Sequence, residues 1–333
     1  MIKKTKKGFY FTLIVLYCII LLLLISFQVK RDYASEGIKT RILTTNNFIK
    51  SMERDASRAV YISSYRTMVA LIDYVASKKE YIQNDKVNEI FADALFNGSL
   101  DHSLGYEEAQ GILTNSTLKD WQNRTIILAS ATDLEINFTE INPEDLVVTQ
   151  TDPWNIVVSI PVQYNLTDPI SKVSWIRNTR INTSIPITNF EDPLYVVEFG
   201  PGCGTKIVNG ENLRPLVGQP VDCDISNLSV FIATSQTGSR YLASNISPSY
   251  LDRLTGNLSG YRDGTWENKN IGITSLVNVA SPTCELPYNT TSSVVDFKYG
   301  RASGTNIIKG IGWIRLDDND VSEKEYNISS GCY

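Results

Sequence analysis

The residue types that most often carry chemistry are scarce or scattered in this 333-residue sequence. His102 is the single histidine, which excludes multi-histidine metal sites and most histidine-based acid–base catalysis. No G-x-S-x-G or H-E-x-x-H pattern occurs. The 36 Asp and Glu residues include pairs that must meet in space, but no spacing singles out a general acid and base. Gly200-Pro201-Gly202-Cys203-Gly204-Thr205-Lys206 has the glycine content of a phosphate loop but not its order, which ends Gly-Lys-Ser/Thr. A glycine-rich turn holding a disulfide is the expectation there. Asp317, Asp318 and Asp320 place oxygen ligands close together, yet the spacing of a calcium loop and its closing glutamate are absent, so a solvated turn is expected. Trp121, Trp154, Trp175, Trp266 and Trp313 are spread out and read as core residues rather than a sugar-binding platform. No enzyme activity, no cofactor and no metal site is expected.

Two residue classes do carry information. Cys18 lies in an apolar stretch, whereas Cys203, Cys223, Cys284 and Cys332 all fall late in the chain. An even number in an exported region reads as two disulfides, and four cysteines allow three pairings. Local closure favours Cys203–Cys223 and Cys284–Cys332, each stabilising by roughly 3–4 kcal/mol on the loop-entropy estimate. The absence of a C-x2-C pair argues against zinc. The second class is the N-x-S/T sequon, present at Asn97, Asn115, Asn123, Asn137, Asn165, Asn182, Asn227, Asn245, Asn257, Asn289 and Asn327. None precedes residue 97, and N-glycosylation of an exported surface is expected.

These features need a membrane anchor in front of them. Phe9 to Val29 contains no charge, proline or glycine, and at about 1.5 Å per residue it spans roughly 30 Å, the thickness of a bilayer core. A cleaved secretory signal would have a shorter apolar core and a small-x-small site after it; Gln28-Val29-Lys30-Arg31-Asp32-Tyr33 offers none. Lys3, Lys4, Lys6 and Lys7 precede the span, while Lys30 and Arg31 after it are partly offset by Asp32. The positive-inside tendency keeps the N-terminus in the cytoplasm and exports the remainder. The formal net charge of -5 argues against a nucleic-acid partner.

All twelve prolines lie at Pro143 or later, so the first 142 residues are free to form long helices. Ile38, Ile42, Thr45, Ile49, Met52, Ala56, Ala59 and Ser63 recur at alternating spacings of four and three, a stripe on one face of a stalk helix that packs on its own domain or on neighbours. Further helices are expected at about 64–80, 86–97 and 117–132, the last with Leu118, Trp121, Thr125 and Leu128 on one face. Period-two alternation then predicts strands at 134–139, 156–165 and 181–187, with Asn137, Asn165 and Asn182 on the solvent side. More strands are expected near 194–199, 229–234, 293–299 and 306–316. The expected fold is α+β: a transmembrane and stalk helix with short helices, then an antiparallel β-rich ectodomain. The organisation is 1–8 cytoplasmic basic segment, 9–29 transmembrane helix, 30–132 helical stalk and subdomain, and 133–333 extracellular β-rich domain.

Lys6-Lys7-Gly8-Phe9-Tyr10-Phe11-Thr12-Leu13-Ile14 resembles a type IV pilin-like leader, a basic segment followed by Gly, Phe and an apolar helix kept after cleavage. The resemblance implies peptidase cleavage between Gly8 and Phe9; the glutamate usual at the fifth position after the cut is here Leu13. Phe190-Glu191-Asp192-Pro193-Leu194-Tyr195, Gly272-Ile273-Thr274-Ser275-Leu276-Val277-Asn278, Ser293-Val294-Val295-Asp296-Phe297 and Trp313-Ile314-Arg315-Leu316-Asp317-Asp318 resemble archaeal membrane-anchored surface proteins. This likeness implies a cell-surface location and transfers no activity. The expected function is a membrane-anchored structural or interaction protein of the cell envelope, a pilin-like minor subunit or a plain anchored surface protein. Its partners would be the bilayer through 9–29 and other envelope or filament subunits. The alternative is a ligand- or carbohydrate-binding adhesive module.

Overall fold

Absence of proline before Pro143 lets a single helix, α1, run without a break over Lys6–Lys78. The computed structural model describes residues 6–199, 206–209, 240–244, 248–256, 272–278, 292–294, 306–307 and 315–316. The helix expected at 64–80 is thus the distal part of α1, whose 73 residues extend about 110 Å at 1.5 Å per residue. It stops where Lys79 adopts a left-handed conformation (φ 56°) and its N–H returns to the Val75 carbonyl at 3.0 Å. Helices α2 (Val87–Asn97), α3 (Asp101–Leu104), α4 (Gln110–Leu113) and α5 (Leu118–Ser130) follow. α2 ends at Gly98 (φ 72°), where a Cβ would sit 2.6 Å from the Thr117 methyl, so only glycine fits. α5 begins with a reciprocal cap: the Asp120 backbone N–H donates to Thr117 Oγ1 at 3.0 Å, and the Thr117 N–H donates to Asp120 Oδ2 at 3.1 Å.

Strands β1 (Glu135–Phe138), β2 (Val147–Asp152), β3 (Asn155–Asp168) and β4 (Val173–Pro186) form one sheet in which β3 pairs with β1, β2 and β4. β2 and β3 make an antiparallel hairpin, with Val148 opposite Val158 and Gln150 opposite Ile156. Its turn is held by Asp152, which accepts from the Trp154 N–H at 2.7 Å and from Asn155 Nδ2 at 2.6 Å. Along β3 the buried residues are Ile156, Val158, Ile160, Val162, Tyr164, Leu166 and Asp168, the strict alternation of a half-buried strand. Three more antiparallel strands, β5 (Arg240–Ser244), β6 (Gly272–Asn278) and β7 (Ser292–Val294), pair in that order, and β8 (Asn306–Ile307) pairs with β9 (Arg315–Leu316).

The fold is α+β, with an apolar N-terminal helix and antiparallel sheet. Three local expectations are corrected. Residues 194–199 form not a strand but part of helix α6 (Pro193–Phe199). Asp192 caps it, accepting the Leu194 N–H on Oδ1 at 3.1 Å, and Pro193 supplies a preset first helical residue. Leu194, Tyr195 and Val196 are all buried, so this apolar run reflects a short helix enclosed on several sides rather than a strand. On α5 the inward face is Leu118, Trp121, Thr125 and Ala129, while Leu128 is 61% exposed. At about 100° per residue, Ala129 falls roughly 20° from Leu118 and Leu128 roughly 80° away on the other side. The strand expected at 306–316 is instead two short strands, β8 and β9, that pair antiparallel with Asn306 opposite Leu316. The strand expected at 229–234 lies outside the described residues, and of 293–299 only the part in β7 is described.

The chain forms two compact units that interleave along the sequence. Met1–Asp55, Thr125–Asn137 and Asn165–Ile176 make the first; Ala56–Arg124, Phe138–Tyr164 and Arg177–Tyr333 make the second. In the second, Trp121 meets Phe138 edge-on at 5.3 Å and Phe138 lies tilted 6.1 Å from Tyr164, joining α5, β1 and β3. Tyr65 of α1 and Phe190 meet at 5.2 Å, and Phe190 lies 6.2 Å from Tyr250 of the last described helix, α7 (Tyr250–Thr255).

Candidate functional site

Along α1, residues Tyr10–Gln28 have a mean hydropathy of 2.7 and none of them is buried. This stretch is long and apolar enough to span a membrane. Gly8 and Phe9 lie in the opening turns of the same helix. From Thr45 onward the expected stripe is covered: Thr45, Ile49, Met52, Ala56 and Ser63 are buried in the chain's own fold, whereas Ile38 is exposed and Ile42 half-buried. Ile49, at 1% exposure, is therefore a core residue and has no surface to offer a neighbour.

Unit one is tied by a clasp between residues 127 positions apart. Arg41 Nε shares its hydrogen between Asp168 Oδ1 (2.9 Å) and Oδ2 (2.8 Å), and its Nη2 reaches the Thr132 and Asp133 carbonyls at 3.4 and 3.3 Å. Asp168 also accepts from Ser171 Oγ and from the Ile170 and Ser171 N–H groups. Burial raises the Asp168 pKa, but the Ser171 and Arg41 hydrogen bonds and the backbone donors outweigh it, so the carboxyl titrates below the ordinary range. Each group satisfies another, and the clasp is structural. A groove of about 770 Å³ beside α1 is lined by Thr40, Arg41, Asn47, Phe48, Thr132 and Leu134 among others, and its one cation, Arg41, is already committed to the clasp.

Unit two holds a fully buried ion pair. Arg253 Nη1 donates to Asp192 Oδ2 at 2.6 Å, Tyr241 donates to the same oxygen at 3.0 Å, and Arg253 Nη2 donates to the Ile273 carbonyl. Tyr250 donates to the Glu191 carbonyl at 3.0 Å. Its burial, with the negative charges of Asp192 and Glu191, pushes its phenol well above the usual tyrosine range. Both charged side chains are sealed from solvent, so this cluster positions backbone rather than handling a ligand.

Two clefts of unit two are open. One, about 490 Å³, lies between α2, α5 and the residues after β1 and is lined by Glu89, Asp93, Phe96, Asn97, Lys119 and Glu140 among others. The second, about 580 Å³, lies over the outer face of β3 and β4, with Asp145, Gln163, Asn178 and Arg180 in its wall. Glu140 and Ile141 border both. The volumes fall in the range of small-ligand sites, and the lining mixes carboxylates, amides, one cation per cleft and a few apolar faces. Of the cleft residues, sequence reading singled out only Asn97, as a sequon, although Glu89, Asp93 and Asn97 at spacings of four form a visible polar ridge on α2. No group of three or more metal-ligating side chains occurs among the described residues.

Of the expected modification residues, Asn97, Asn115, Asn123, Asn137, Asn165 and Asn182 are described, and all six are exposed. On the strands the contrast with neighbours is clear: Ile136, Tyr164, Leu166 and Ile181 beside them are buried. Asn227, Asn245, Asn257, Asn289 and Asn327 lie outside the described residues. So do Cys203, Cys223, Cys284 and Cys332 with their expected disulfides, most of the 200–206 glycine-rich turn, and Asp317, Asp318 and Asp320. Cys18 is a free, exposed thiol in the apolar part of α1. No protein-family model, no curated protein and no solved structure matches this chain.

Proposed function

We propose that this chain is a membrane-anchored, extracytoplasmic structural or interaction protein of the cell envelope, held by α1 with its N-terminus in the cytoplasm. The observation that carries this reading is the division of one helix into two environments. Tyr10 to Phe27 includes fifteen large apolar side chains exposed to solvent, while from Thr45 onward the inward face of the helix is covered by the chain's own fold. At about 1.5 kcal/mol each for incomplete removal from water, that exposed surface represents on the order of 20 kcal/mol, which only a bilayer or a bundle of similar helices relieves. Lysines before the span support the orientation. Six exposed sequon asparagines support an exported, N-glycosylated surface, in keeping with the cell-surface location that the archaeal resemblance implies. Protease added to intact cells should remove the region beyond residue 30; full protection of that region overturns the proposed orientation.

Within this reading, the Gly8-Phe9 leader supports a pilin-like minor subunit, whose helix serves first as membrane span and later as filament core. The N-terminal residue of the mature protein tests it. Phe9 indicates processing by a prepilin-type peptidase, whereas Met1 or Ile2 leaves a permanent anchor. The two polar clefts of unit two support the adhesive, carbohydrate-binding alternative. A glycan array probed with the full chain in detergent tests that reading, and a signal no higher than background would count against it.

A further inference from the structure

We infer that the α2–α5 cleft is the seat of the protein's own glycan, carried on Asn97. This rests on the reading that the exported sequons are glycosylated. The attachment atom belongs to the cleft wall: Asn97 is the last residue of α2, and its Nδ2 donates to the cleft residue Asp93 at 2.9 Å. Transfer from a glycan activated as a lipid-linked phosphate forms the Nδ2–C1 bond and breaks the C1–O bond to phosphate. The phosphate leaves and one Nδ2 proton is lost. The remaining Nδ2–H can keep its bond to Asp93, which fixes the amide and directs the first sugar along the cleft rather than into solvent.

The lining suits a pyranose. Glu89, Asp93 and Glu140 accept hydrogen bonds from hydroxyls, Lys119 and Gln122 donate to them, and Phe96 and Ile141 offer apolar faces to ring C–H groups. The second cleft continues from Glu140 and Ile141 over Gln163, Asn178 and Arg180, so a longer glycan has a polar path across the sheet. Gly98 turns the chain sharply after Asn97, and the sequon hydroxyl of Ser99 accepts the Asp101 N–H at 3.1 Å. A short tether gives the sugar an effective concentration of the order of millimolar, so an intrinsic affinity of about 1 mM already fills the cleft half the time.

The test uses the chain purified from its native membranes. Peptide mass mapping reads occupancy at each sequon, and hydroxyl-radical labelling reads the exposure of Phe96 and Ile141, both half-buried. Half occupancy predicts that labelling of both residues rises about twofold when the glycan is absent. Asn97→Gln and Ser99→Ala remove the sequon by independent routes and should agree, while Asn165→Gln should leave both residues unchanged. Sugar at Asn97 with labelling identical in wild type and both variants overturns the seating, as does a bare Asn97 beside other occupied sequons. Sugar at no sequon overturns the glycosylation reading as well.

Discussion

Replacing Arg253 with methionine removes the cation that faces Asp192 in a site where neither side chain has any exposure. Methionine keeps most of the side-chain volume, so the loss is electrostatic rather than a cavity. The Asp192 carboxylate still accepts from the Leu194 N–H and from Tyr241, but it is left as a buried charge without its guanidinium. The Ile273 and Pro248 carbonyls each lose a donor as well. Breaking a buried pair from one side costs about 3–5 kcal/mol, against a total stability of about 5–15 kcal/mol for an ordinary domain. Asp192→Asn should cost a similar amount, because it leaves the buried Arg253 cation unpaired, and its one amide oxygen can keep either the α6 cap or the Tyr241 bond, which use different carboxylate oxygens. In the double variant both charges are gone, so its loss should fall short of the sum of the single losses by more than about 1 kcal/mol. Urea unfolding of the full chain in detergent micelles, followed by tryptophan fluorescence, gives the three values. An Arg253→Met midpoint within about 1 kcal/mol of wild type at equal slope, or simple additivity of the two changes, would refute a pair that organises α6, α7, β5 and β6.

Ile49→Asp should unfold unit one, because it buries a charge at a position 1% exposed; circular dichroism should show lost structure, whereas Ile42→Asp, half-buried, should stay folded. Gly98→Ala should cost more than about 1 kcal/mol by the same urea assay, from its positive φ and the 2.6 Å approach to Thr117. The folded-state pKa of Asp168 lies below its unfolded value, so its contribution is present above the unfolded value, about 3.9, and is lost as pH falls through the depressed one. Acid titration of stability should therefore flatten below about pH 4 in Asp168→Asn, and an unchanged acid limb would contradict the clasp.

Local spacing determined much of this protein without help from the fold. The charge-free run from Phe9 to Val29 marks a helix long and apolar enough to cross a membrane, and the alternation from Ile156 to Tyr164 marks a half-buried strand by period alone. The same period put Asn137, Asn165 and Asn182 on the outer side, where they are exposed. The stripe at 45–63 was legible as a face, but a period says which residues turn inward together and not what covers them. Only tertiary packing assigned that face to the chain's own core and made Ile49 inaccessible to a neighbour. Packing likewise decided Leu194–Phe199, where the Asp192 cap and the burial of Leu194, Tyr195 and Val196 gave a helix in place of the expected strand. Arg41 with Asp168, Asp192 with Arg253, and Asn97 with Glu140 are brought together by chain crossings of tens to more than a hundred residues. No local pattern encodes those meetings, because electrostatic and hydrogen-bond partners are chosen by distance in space rather than along the chain.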